Sequence, residues 1–97
     1  MRLTNIEITV IKREASKQFG RSAKVYIFGS RADDKKKGGD IDIYIETAVK
    51  RDILKRKIKF LIDVKKEIGE QKIDVVINNN TSEKIIFTIA KNEGVKI

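Results

Sequence analysis

The sequence predicts a small α/β domain of the α+β kind, a mixed sheet with helices on one face, in the order α-β-β-α-β-α. Three observations predict it. Apolar residues recur at helical spacing in segments that end at glycines, at Gly20, Gly69 and Gly94. Between them lie two strand-like stretches, "DIDIYIE", which alternates strictly, and "KIDVVI", which sets Ile73, Val75 and Ile77 on one face. A short β-rich run, "KVYIF", ends abruptly at Gly29-Ser30.

Each element has a local reason. Thr4 and Glu7 have the spacing of a capping box, and Ile8, Ile11, Ala15 and Phe19 then share one helical face that stops at Gly20. Lys24–Phe28 reads as a buried strand. In Asp40–Glu46, Ile41, Ile43 and Ile45 face one way, while Asp40, Asp42 and Tyr44 face the other. From about Arg51 to Ile68, the residues Leu54, Ile58, Leu61, Val64 and Ile68 keep helical spacing. Lys72–Ile77 is a third strand, with Ile73, Val75 and Ile77 on one face and Asp74 on the other. Asn80 with Glu83 caps a last helix carrying Ile85, Ile86, Ile89 and Ala90, and "VKI" can form a short terminal strand. Helices on one side would leave the face bearing Asp40, Asp42 and Asp74 open.

Composition bounds the chemistry. At 97 residues, with no linker or internal repeat, the chain is expected to form a single domain, 1–97. It contains no cysteine and no histidine, so catalysis would have to use carboxylates, hydroxyls, Lys, Arg or a hard metal ion. No apolar run is long enough to span a membrane, the first residues lack the apolar segment of a secretory signal, and a cytoplasmic location is the expectation. The net charge of +8 points to an anionic partner, though a Lys- and Ile-rich composition also suits heat adaptation.

The stretch "FGSRADDKKKGGDIDIYIE" carries the functional signal. Residues i and i+2 on a strand point the same way, about 6–7 Å apart, so Asp40 and Asp42 repel unless a cation lies between them. Mg²⁺ favours one or two carboxylates together with substrate phosphates. A third carboxylate from a neighbouring strand allows a second metal, and Asp74, alone among apolar neighbours in "IDVV", has the required parity. Gly29 lets a phosphate approach the backbone, and the residues after it can open a turn whose N–H groups bind anions. Each feature has a plainer reading alone: "GS" as a turn, Asp-x-Asp as a solvated strand face, "DDKKKGG" as a charged connection, Tyr26 and Tyr44 as sheet packing rather than base stacking. Their conjunction in one order favours a site.

That conjunction resembles the signature of the DNA polymerase beta-like nucleotidyltransferase superfamily: an apolar residue, Gly-Ser, a gap, Asp-h-Asp-h, and a later Asp on a third strand. Within it, the chain is similar to the minimal nucleotidyltransferases, the MNT-domain proteins, many of which are antitoxins of HEPN-domain toxins. The resemblance implies that Gly29 and Ser30 hold the β- and γ-phosphates of a nucleoside triphosphate, with Arg31 neutralising charge in the turn. It implies that Asp40, Asp42 and Asp74 ligate Mg²⁺, two ions in all, with Asp74 also the base on the attacking hydroxyl. The pattern departs in two places: Asp33 and Asp34 stand where minimal members carry a basic residue and glycine, and Gly39 replaces the Ser or Thr usual before the first aspartate.

The expected function is therefore Mg²⁺-dependent transfer of AMP from ATP to a hydroxyl of a second protein. By resemblance, that protein is a small helical HEPN toxin and this chain its antitoxin. Two alternatives stay open. One is a non-catalytic antitoxin that neutralises its partner by docking. The other is a nucleic-acid-binding protein, which the charge permits but no RNA-reading motif supports.

Overall fold

The structure is a computed structural model that describes residues 2–33, 39–80 and 85–97. Helix α1 (Asn5–Phe19) leads into strand β1 (Lys24–Phe28), which ends in a 3-10 turn at Gly29–Ala32. Strand β2 (Ile41–Glu46), helix α2 (Ile53–Ile68) and strand β3 (Ile73–Asn78) follow. Helix α3 (Ile85–Glu93) and the short strand β4 (Val95–Lys96) complete the chain.

The α1 start has the expected capping box. The Thr4 hydroxyl accepts from the Glu7 N–H at 3.1 Å, and the Glu7 carboxylate accepts from the Thr4 N–H at 2.9 Å. The four strands form one mixed sheet in the order β3-β2-β1-β4. β1 runs antiparallel to both β2 and β4, while β2 and β3, joined through α2, run parallel. The terminal "VKI" is thus an edge strand, with the Ile97 N–H reaching the Val25 carbonyl at 2.9 Å.

Strand parity sorts the side chains. Val25, Ile27, Ile41, Ile43, Ile45, Ile73 and Val75 pack with Ile11, Phe19, Phe60 and Val64 in the main core beneath α1 and α2. Phe19 and Phe60 meet edge to face, their ring centroids 6.1 Å apart.

Two expectations need correction. The helices do not all lie on one face: α3 packs on the other, where Phe87 and Ala90 cover Tyr44 against Tyr26, Phe28 and Val76. The reason is apolar area. Tyr44 is 1% exposed, and two neighbouring rings, Tyr26 and Phe28, and Val76 on that face need cover. The face of α2 is also rotated from the one expected: Phe60 and Val64 are buried, but Leu54 and Ile58 are exposed. The expected Asn80–Glu83 cap and the lysine loop at 35–37 lie outside the described residues, as does Asp34.

Candidate active site

The site lies where the α3-covered face runs out. In the parallel β2–β3 register, Asp42 and Asp74 are direct Cα partners, so both carboxylates project from the same face on strands about 4.8 Å apart. Asp42 also faces the end of β1, paired with Phe28. The chain then turns sharply at Gly29, whose φ of 71° lies in the left-handed region that favours glycine. A Cβ there would collide with the Asp42 carboxylate. The turn and Asp42 therefore touch, and the left-handed φ together with that contact favours glycine.

Asp40 stands one residue before β2 and is held differently. Its Oδ2 lies 3.4 Å from the Lys72 ammonium, itself one residue before β3. Burial, then Asp74, then Asp40 push the Asp42 carboxyl above the usual aspartate range, with Lys72 opposing. The neighbourhood is one of close like charge, relieved among the described residues by Lys72.

Arg31 is committed to structure. It donates from Nε to the Gly39 carbonyl at 3.3 Å, from Nη1 to the Arg2 carbonyl at 3.2 Å, and from Nη2 to Gln71 Oε1 at 3.2 Å. Gln71 donates on to Glu7 at 2.9 Å, and the Arg2 N–H reaches the Arg31 carbonyl at 2.7 Å. The turn after β1 is thus tied to the N-terminal segment, to α1 and to the approach to β3. Ser30 lies inside this braced turn.

Asp42, Asp74 and Gly29 are brought together, with Asp40 beside them on its lysine. Among the described residues, no group of three or more His, Cys, Asp or Glu is gathered as a ready metal cage. Sequence reasoning missed Lys72 and Gln71. Lys72 had a signal, because it sits two residues before Asp74 and shares its parity. Tyr26 and Tyr44 are packing residues, with ring centroids 5.6 Å apart and Tyr44 tilted against Phe87 at 5.9 Å.

The family model described as nucleotidyltransferase domain matches residues 8–96, nearly the whole chain. This chain belongs to the nucleotidyltransferase domain family. No curated protein matches it. Membership makes it a transferase-type domain, with nucleotidyl transfer as its general chemistry.

The residues of this nucleotidyltransferase domain suit a hard cation. The donor set is all carboxylate oxygen, and a cation beside Asp42 and Asp74 would offset both the burial and the like charge that raise the Asp42 pKa. The glycine turn beside Asp42 leaves backbone, rather than a side chain, next to that position. No described helix is long and apolar enough to cross a membrane.

Proposed function

We propose that this chain is a Mg²⁺-dependent nucleotidyltransferase that moves AMP from ATP to a hydroxyl on a partner protein. In this reading, it is the antitoxin of a HEPN/MNT toxin–antitoxin pair. The observation that carries the chemistry is the cross-strand pair Asp42–Asp74, with Asp42 in contact with the Gly29 turn. Asp40, Asp42 and Asp74 would hold the metal, which when bound supplies charge neutralisation on the phosphates. The turn at Gly29 and Ser30 would hold the β- and γ-phosphates through backbone N–H groups. Asp74, the exposed member of the pair, would accept the proton of the attacking hydroxyl. Such displacement needs position and charge more than covalent catalysis, so a fold without Cys or His suffices. Arg31, braced within the turn, supports its shape.

A second reading has its own support. Asp40 is paired with Lys72, the three acids are not gathered as a metal cage, and Arg31 is engaged elsewhere. These features suit an antitoxin that neutralises its partner by docking. One experiment separates the two. The protein encoded beside this chain is incubated with it and Mg-ATP, and its intact mass is measured. Catalysis predicts an AMP-sized gain that Asp42→Asn abolishes while the two proteins still bind. Binding without any gain in mass leaves the docking reading.

A further inference from the structure

Helix α2 has two apolar stripes, and the fold uses only one of them. Phe60 and Val64 are buried in the main core, with Ile53, Leu61 and Ile68 packed against it. Leu54, Ile58 and Ile62, four residues apart along the helix, form a continuous ridge on its outer side. They are 70%, 49% and 47% exposed. Three aliphatic side chains aligned at this spacing are not the scattered exposure that any surface shows. A shallow depression of about 470 Å³ runs beside the ridge, bounded by Ile58, Ile62, three basic residues (Lys55, Arg56 and Lys59), one acid (Asp52) and, from α1, Gln18.

The charge around the ridge is one-sided. Within Ile53–Ile68 the helix carries six basic residues and two acidic ones. Both acids are already engaged, Asp63 with Lys59 at 3.5 Å and Glu67 with Arg13. Lys55 and Lys59 line the depression, and Lys65 and Lys66 fall near the same outer side by helical spacing. A second copy of the chain laid on this ridge would set lysine against lysine, each copy bringing a net charge of +8. An anionic lipid surface would answer the charge. However, a membrane-seated helix sinks a broad apolar face with aromatic anchors, and this ridge is three aliphatics wide with none.

We infer that the Leu54–Ile58–Ile62 ridge is a docking site for an amphipathic helix of a partner protein whose apolar stripe is flanked by Asp and Glu. Such a helix packs its own i, i+4 ridge beside that of α2 and places carboxylates against Lys55 and Lys59. The inference stands apart from nucleotide transfer. α2 covers the sheet face opposite the one that carries Asp42 and Asp74, so the docked helix leaves the carboxylates free.

The probe is a labelled synthetic amphipathic helix with leucines at heptad spacing and glutamate flanks. Its twin carries lysine flanks. Fluorescence anisotropy against the full chain should show saturable binding of the acidic peptide that weakens with added salt, and none of the basic one. Ile58→Glu and, separately, Leu54→Glu should each weaken it by at least about tenfold, because each puts a charge into the apolar contact. Both sites are exposed, so the circular dichroism spectrum should stay unchanged. Asp42→Asn should bind as the parent does. Equal binding of both peptides, or full affinity in the two glutamate variants, would overturn the inference. So would a dimer in sedimentation that Ile58→Glu dissociates, which would assign the ridge to a second copy. Binding to phosphatidylserine-containing vesicles that Ile58→Glu abolishes, with no peptide binding, would assign it to a membrane.

Discussion

At the scale of single residues, Asp42 and Gly29 set each other's limits. Burial and the neighbouring aspartates raise the Asp42 pKa, so its charged form is worse tolerated in the folded chain than in the unfolded one. The resulting penalty is fully present above the folded-state pKa. It disappears as pH falls below the unfolded value, about 4. Asp42→Asn should therefore melt a few degrees higher than the parent at neutral pH in chelator, with the gap closing on acidification. Calorimetry at several pH values checks this, and a lower melting temperature at neutral pH would show that burial and repulsion of the charged carboxylate are not the dominant effect. Gly29→Ala should act the other way. The left-handed φ costs about 1–3 kcal/mol for a residue with a side chain, and the new Cβ would also push on the Asp42 carboxylate. Chemical denaturation should record that loss. The parity that put Asp42 and Asp74 on one face was legible in the sequence because a strand's period is two. The lysine clamp on Asp40 was not, because it depends on which strands are neighbours.

At the scale of elements, α1 is joined to α2 by charge as well as by core packing. Glu14 is only 2% exposed and accepts from Arg13 at 3.0 Å and Lys17 at 3.2 Å, while Arg13 also reaches Glu67 of α2. Burial works to raise the Glu14 pKa, but the two hydrogen-bonded cations outweigh it and hold the carboxyl below its ordinary range. A depressed folded pKa contributes stability above the unfolded pKa and loses it as pH falls through the folded value. Glu14→Gln should thus cost about 1 kcal/mol at neutral pH and little in strong acid, a difference that urea titrations at the two pH values would read. Element types were legible from period and glycine stops. Their faces were less so: α2 offers two apolar stripes of similar quality, Leu54–Ile58–Ile62 and Phe60–Val64, and periodicity cannot choose between them. The choice is made by the sheet, which the strand isoleucines define only once the strands are paired. The placement of α3 was hidden for a related reason, because Tyr26 and Tyr44 read as a polar face until their rings are seen packed together.

At the scale of the whole molecule, the sheet is a partition. One side holds the main core and two helices, and the other holds a small aromatic cluster and the carboxylate pair. A protein bound on α2 and a nucleotide bound at Asp42 would meet this chain on opposite sides. The partition also orders events in time. Asp42 and Asp74 belong to strands that meet only after the whole of α2 has been threaded back across the sheet. The entropy of closing that loop must be met before their pairing yields anything in return. During synthesis, the two carboxylates cannot confront each other until β3 has emerged and locked its register, so their mutual repulsion is absent while β2 lacks that neighbour. The carboxylate pair would then be a timer, silent until β3 has paired with β2.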